Sequence, residues 1–396
     1  MKFIDTEKLV IKSWCNNPEE EAIKQAKNLA NLPFAFHHIA LMPDTHAGYG
    51  MPIGGVLATT DVIIPNAVGV DIGCGMCAVR SSIKFEDFNI DILKKIFGGS
   101  AEYHGGIRSS IPTGINRQKK DQEWEGFDRA PDIEVIQSEL NNSRKQLGTL
   151  GGGNHFIEVQ AGSDGFIWIM LHSGSRNFGY KIAKTYNELA QNLCTKWYSN
   201  VPPFKGEDGL AFLPIDTKEG QEYITAMNYA LDFALANRLN MIEACKREFE
   251  NIVSNINWDE VINIHHNYAT IENHFGRNVW IHRKGATSAR EGQIGIIPGS
   301  QGTSSYIVKG LGNSESFMSC SHGAGRTMSR NKAENNLNLD DEIKRLNDMG
   351  VLHSIRNKKD LDEAPSAYKD IDIVMEEQKD LVEILIKLKP LGVIKG

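Results

Sequence analysis

One apolar stripe constrains this chain more than any other pattern. Ile224, Met227, Leu231, Leu235, Leu239, Ile242, Cys245 and Phe249 recur at helical spacing within residues 216–253, with Asp216 or Thr217 placed to cap the helix. A helix of that length must lay its stripe against a large partner face. The segments around it are of a different kind. Short apolar β-rich runs, cut by Gly and Pro, occupy about 39–80 ("GGVLATTDVIIP" among them), 164–172 ("DGFIWIMLH"), 279–283, 293–297 and "SSYIV". Other helical patterns are "NNPEEEAIKQAKNLANL", with Asn17 as N-cap and Pro18 first in the helix, "NFGYKIAKTYNELAQNLCTKWY", a surface helix at "NKAENNLNLDDEIKRLND", and a final helix near 370–388 that stops before Pro390. The class this predicts is α+β, with sheets surrounded by helices. No repeat, low-complexity tract or interdomain linker is present, and polar motifs fall at strand ends throughout. One domain over residues 1–396 with one composite site is expected.

A hydrophobic fraction of 41% and a charged fraction of 23% are those of a soluble globular protein. With a net charge of −7, polyanion binding by bulk charge is excluded, and any phosphate or nucleic-acid partner needs a local basic patch. No apolar run approaches bilayer length, and the N-terminal residues lack the apolar core and cleavage site of a signal peptide. The six cysteines are scattered, which argues against a disulfide framework. A cytoplasmic, reduced protein without membrane contact is expected.

Four polar clusters share one style. "GVDIGCGM" sets Asp71 and Cys74 in a glycine-rich turn, and a carboxylate with a thiolate suits Mn, Co or Zn. Cys74 and Cys77 also form C-x-x-C, but no second such pair completes a zinc cluster and the strand-then-helix context of a redox motif is missing. "GTLGGGNHFIEV" holds Asn154, His155 and Glu158; taken alone, a tight turn with a core histidine explains it. "LHSGSRNFG" places His172 at a strand end, with Ser173, Ser175 and Arg176 opening a helix suited to an anion. "NIHHNYATIE" adds His265, His266 and Asn267. The recurrence of one pattern at four element ends favours a metal site over four separate structural histidines.

A second group of motifs suits phosphate. "HRKGAT" brings Arg283 and Lys284, and "PGSQGTSSYIV" brings hydroxyls and glycine amides. In "SCSHGAGRTMSR", small residues surround His322, and Arg326 and Arg330 follow at a spacing that shares a helix face. A histidine there could be a ligand, a general base or a nucleophile. Open access, adjacent cations and a nearby metal are what a nucleophile attacking phosphorus requires.

Taken in order, "MPDTHAGYGMPIGG", "GVDIGCGM", "GTLGGGNHFIE", "LHSGSRNFG", "HHN", "HRKGAT", "PGSQGTSSY", "SCSHGAGRTMSR" and the terminal "IKG" resemble the RtcB family of RNA-splicing ligases, from about residue 42 onward. The resemblance implies an RtcB-like fold. It also implies GTP- and Mn²⁺-dependent joining of an RNA 3′-phosphate or 2′,3′-cyclic phosphate to a 5′-hydroxyl, in tRNA splicing or RNA repair. By the same resemblance Asp71, Cys74, His155, His172 and His266 hold two Mn²⁺ ions, with Cys74 bridging, and His322 is the nucleophile that carries GMP. Asn154, Glu158, Ser300, Ser305, Gly323, Ala324, Gly325 and Lys395 match guanylate-contacting positions, while Arg176, Arg283, Arg326 and Arg330 face triphosphate or RNA phosphates. A monomer is expected, in some members assisted by an archease-type activator. Two departures stand out: Gln301 replaces a methionine, and "IPTGINRQKK" lacks a histidine. The alternatives are a dimetal RNA-end phosphoesterase, with His322 as a base, and a non-catalytic RNA-end binding protein.

Overall fold

Two main sheets carry the chain in the computed structural model, which describes residues 1–100, 102–199, 201 and 209–396. The first has six strands in the order Lys2–Ile4, Val10–Ser13, Ala35–His46, Ile53–Thr59, Arg277–Lys284, Asn267–His274. Only Val10–Ser13 and Ala35–His46 run parallel, and the helix Glu20–Ala30 makes the crossover between them. That helix starts two residues later than its sequence suggests, with Glu19 as N-cap, and buries Ala22, Gln25, Ala26, Leu29 and Ala30 along one face.

The second sheet is antiparallel throughout, in the order Ile262–His265, Gly75–Lys84, Phe166–Ser173, Phe156–Gly162, Val382–Lys395, Ser305–Gly310, Ile294–Ile297. It curls until its edge strands approach one another. The strand Val382–Lys395 corrects the expected final helix: the helix there covers only Ile371–Glu377. Val382, Ile384, Ile386 and Leu388 recur at period two, the strand period, and a short run of such residues fits either pattern until pairing decides. Pro390 sits where the register against Phe156–Gly162 shifts, a position that needs no ladder N–H.

The long helix is Lys218–Glu250, capped by Thr217, whose hydroxyl accepts from Gly220 N–H at 3.1 Å. Its buried face includes Met227, Ile242, Cys245 and Phe249 of the predicted stripe and is broader than it, adding Tyr223, Phe233, Ala234 and Met241, whereas Leu239 is 42% exposed. The helix packs on Arg176–Lys196 and on the strands Gly75–Lys84 and Phe166–Ser173. The predicted surface helix is two, Arg330–Asn336 and Leu339–Asp348, the second capped by Asn338. Among the described residues no helix is long and apolar enough to cross a membrane. All six cysteines are buried and unpaired.

Candidate active site

Four neighbouring strands of the second sheet deliver side chains to one edge. Met76 pairs with His172, Phe156 with His172, and His265 with Gly75, so Cys74, His155, His172 and His266 lie at adjacent strand ends. Lys395, paired with Phe156, joins the same row. The turn that carries Asp71 comes close because residue 174 is glycine; a Cβ there would stand 2.4 Å from Asp71 Oδ1.

The donor atoms converge. Cys74 Sγ lies 3.4 Å from His155 Nε2 and 3.1 Å from His172 Nε2, and His155 Nε2 is 3.1 Å from Asp71 Oδ2. His172 Nε2 is 3.2 Å from His266 Nε2. His172 Nδ1 donates to the Asn154 carbonyl at 3.1 Å, which leaves the Nε2 lone pair facing inward. Burial, then the neighbouring histidines, pushes His172 and His266 well below the ordinary imidazole range, so both are neutral donors. Burial works against ionisation of Asp71, but the hydrogen bond and charge of His155, with Cys74 and Arg176, outweigh it and hold the carboxylate charged. Burial, then Asp71, drives the Cys74 thiol well up, so its sulfur becomes a thiolate only beside a cation. Opposed lone pairs about 3 Å apart repel unless a cation lies between them, and edges of about 3.4 Å are those of a tetrahedron of 2.1 Å bonds. The residues present fit a soft-to-borderline metal.

His322 approaches from the other side. The short strand Ser319–Ser321 pairs with Ala286–Ser288 and runs beside Ala35–His46, which sets His322 against Asp44. Asp44 Oδ2 is 2.6 Å from His322 Nδ1. A carboxylate only accepts, so Nδ1 carries the hydrogen and Nε2 keeps its lone pair. The rings of His322 and His266 are 4.8 Å apart, which joins this pair to the metal-donor cluster. Gly325 lies so close to the Asp44 backbone, at φ +73°, that a Cβ would meet the Asp44 carbonyl oxygen at 2.3 Å.

These groups line a cavity of about 610 Å³. Asp71, Cys74, His172, His266 and His322 border it, as do Asn154, Glu158, Ser300, Gly323, Ala324, Gly325, Arg326, Arg330 and Lys395. Burial pushes Glu158 up to about 8, against the opposing pull of Gln160 and Lys395, so it is a neutral acid at pH 7. Burial likewise disfavours the charge of Lys395, with Glu363, Asp362 and Glu158 opposing. Arg330 Nε donates to Glu363 Oε1 at 2.7 Å, and Arg326 Nη1 lies 3.1 Å from Glu363 Oε2.

Several expected residues stand elsewhere. Arg283 is corrected: its guanidinium is fully buried, not on the cavity, and is held by Glu272 at 2.6 Å, by Ser319 Oγ at 2.9 Å and by the Phe317 carbonyl at 3.0 Å. Neighbouring residues of a strand point to opposite faces, and it is Lys284 that faces the cavity. Arg176 sits behind the donors, not on the cavity wall, with Nε on Thr149 Oγ1 at 3.0 Å and Nη2 on the Gly114 carbonyl. Ser305 lies beneath the wall; its hydroxyl accepts from Gln160 Nε2 at 3.2 Å and Gly299 N–H at 3.1 Å. His265 turns away, toward Arg238 and the Gly73 carbonyl. Gln301 borders the cavity, but its amide donates into the wall, to the Glu363 carbonyl at 2.8 Å.

Sequence reasoning misses Asp44, Glu363, Tyr368, Asn237 and Arg238. "PDTH" closing the apolar run "IALM" is the signal for Asp44. Arg238 donates to the carbonyls of Gly73 and Ser173, and Asn237 accepts from Gly148 and Thr149 N–H. Together they tie the donor-bearing turns to the long helix.

A family model described as tRNA-splicing ligase RtcB matches residues 25–396. The RNA-splicing ligase RtcB of Escherichia coli K12 is 40% identical over 100% of this chain and 99% of its own length. The tRNA-splicing ligases RtcB of Nanoarchaeum equitans and Archaeoglobus fulgidus are each 31% identical over 96% of this chain and 92% of theirs.

Proposed function

Because this chain belongs to the RtcB family, we propose that it is a GTP-dependent RNA ligase that joins a 3′-phosphate or 2′,3′-cyclic phosphate end to a 5′-hydroxyl end. The observation that carries this reading is the Asp44–His322 pair, set one ring contact from a Cys/His/Asp donor cluster on a shared cavity. A purely structural histidine has no need of that combination.

Asp71, Cys74, His155, His172 and His266 would hold the Mn²⁺ ions, with Cys74 Sγ in reach of both the Asp71–His155 pair and the His172–His266 pair. Metal ions held there would stabilise negative charge on phosphate oxygens and lower the pKa of bound water. His322 Nε2 is the nucleophile toward the α-phosphorus of GTP; a P–N bond forms and pyrophosphate leaves. Asp44 holds Nδ1–H throughout, fixing ring orientation and stabilising the cationic ring that bonding at Nε2 creates. The RNA 3′-phosphate then takes GMP from His322, and the 5′-hydroxyl displaces GMP to form the phosphodiester. A cyclic phosphate is first opened by water. Glu158, held neutral by burial, and Lys395 each supply a hydrogen-bond donor to a purine base, with Asn154, Ser300, Gly323, Ala324 and Gly325 around it and Ser305 supporting from below. Arg326 and Arg330 stand over the phosphates.

The same reading makes residues 1–396 one ligase domain, active as a cytoplasmic monomer in tRNA splicing or RNA repair, with an archease-type activator as a compatible partner. The test is incubation with α-labelled GTP and Mn²⁺, followed by intact-mass analysis and peptide mapping. A GMP adduct on His322, absent in His322→Ala and without Mn²⁺, is expected. Bound metal with no adduct would instead make the protein a dimetal phosphoesterase.

A further inference from the structure

Tyr49 lies on the loop between the strands Ala35–His46 and Ile53–Thr59, borders the cavity and is 52% exposed. A half-exposed aromatic on a loose loop would mean little. This loop is pinned on both sides. Ala47 N–H donates to Glu19 Oε2 at 3.2 Å, and Gly48 N–H donates to Gln25 Oε1 at 3.1 Å while its carbonyl accepts from Gln25 Nε2. The Tyr49 carbonyl accepts from Met51 N–H at 2.8 Å and from buried Lys284 Nζ. Gly50 follows at φ +69°, where a Cβ would stand 2.7 Å from the Asn66 side chain. The backbone is fixed while the ring faces outward.

Lys284 also ties this loop to a second segment. Its Nζ donates to the Asn66 carbonyl at 3.0 Å, and its side-chain carbons lie 3.4 to 3.8 Å from where a Cβ on Gly69 would sit. Val70, 47% exposed, and Asp71 come next in the chain, and both border the cavity. Lys284 thus links the Tyr49 loop to the segment that leads through Gly69 to Asp71, and Tyr49, Val70 and Asp71 border one cavity.

We propose that Tyr49 is a positioning residue for RNA, its ring stacking on a nucleobase at one of the two ends to be joined. This rests on the ligase reading above. The chain has a net charge of −7, and Arg283, Arg326 and Arg330 are engaged by Glu272 and Glu363. Electrostatic attraction alone is a poor holder of an RNA end here. An aromatic face holds any base without reading its sequence, because every base has a π-face. A rigid platform does so at little entropic cost.

The test uses the full chain with Mn²⁺, GTP and two short RNAs, one ending in a 3′-phosphate and one beginning with a 5′-hydroxyl. Each is varied in turn while the other saturates. In Tyr49→Ala, KM for one end rises by roughly 5- to 150-fold, while Tyr49→Phe and Tyr49→Trp stay within about twofold of the wild-type value. Transfer of GMP to His322 without RNA does not slow. Removing the base nearest the junction on that strand gives the wild-type protein the KM of Tyr49→Ala, and Tyr49→Ala loses nothing more; this identifies which end is held. An unchanged KM for both ends in Tyr49→Ala overturns the proposal, as does an equal loss on natural and abasic RNA. Slower RNA-free GMP transfer in Tyr49→Ala overturns it too, by placing the residue in the nucleotide site. Wild-type protein that forms the GMP adduct yet joins no RNA would overturn the ligase reading itself.

Discussion

Asp44 Oδ2 accepts two hydrogen bonds from a single residue, the His322 ring Nδ1 at 2.6 Å and the His322 backbone N–H at 3.0 Å. The carboxylate thereby fixes the backbone, ring plane and tautomer of the proposed nucleophile together. Asp44→Asn keeps the shape and its amide oxygen can still accept from both His322 groups, but it removes the charge that stabilises a cationic ring. GMP transfer to His322 should slow by about 10²-fold or more, while thermal unfolding moves little. Adduct accumulation by intact mass against time reads this directly.

The donor cluster predicts a metal dependence of stability as well as of activity. On the proposed reading Mn²⁺ would bind only the folded arrangement of Asp71, Cys74, His155, His172 and His266, so free metal at 100 times Kd should add about 2.7 kcal/mol for each of the two sites. Chelation should lower Tm correspondingly. Cys74→Ala removes the one atom that touches both donor pairs, and bound Mn²⁺ measured by elemental analysis should fall from two per chain to one or fewer.

Glu158 gives a pH signature. Held near 8 by burial, against an ordinary value of 4.5, it keeps in the folded state a proton that the unfolded chain has already released. Its contribution is therefore fully present below about 4.5 and is lost as pH rises through about 8. Glu158→Gln mimics the neutral acid and should flatten that slope in urea titrations between those limits. Comparison of the two proteins isolates Glu158 from Lys395, whose burial gives the opposite trend.

Arg283 should behave as a structural residue and not as a phosphate contact. Arg283→Met leaves Glu272 buried beside fewer partners and should cost about 3–5 kcal/mol in denaturant unfolding. The salt dependence of RNA binding should be unchanged. In Arg326→Met or Arg330→Met, each already paired with Glu363, the salt slope should instead become slightly shallower, by less than one phosphate each.

Much of this site is legible in the sequence because its chemistry needs glycine and histidine at strand ends, and such residues interrupt apolar runs visibly. "GVDIGCGM" and "LHSGSRNFG" mark two adjacent strand ends without any knowledge of the sheet. What stays hidden depends on facing direction. Arg283 and Lys284 are equivalent as letters, and only the pleat decides which one meets the cavity. Asn237 and Arg238 are hidden in the same way, inside a helix whose apolar spacing draws attention to Leu235 and Leu239 instead. The helix expected at 370–388 fails for another reason: local periodicity in "LVEILIKLKP" is settled by two partner strands far away in the chain.

That late strand has a consequence for biosynthesis. Val382–Lys395 lies between Phe156–Gly162 and Ser305–Gly310, and its last partner row brings Lys395 to the cavity. While residues up to 381 emerge from a ribosome, the sheet is two separate fragments with bare edges facing each other. The gap closes only when residue 395 is free of the exit tunnel. A polypeptide that has not yet yielded this strand therefore bares two unpaired edges at once, and that stage of synthesis is the one most open to edge-to-edge association.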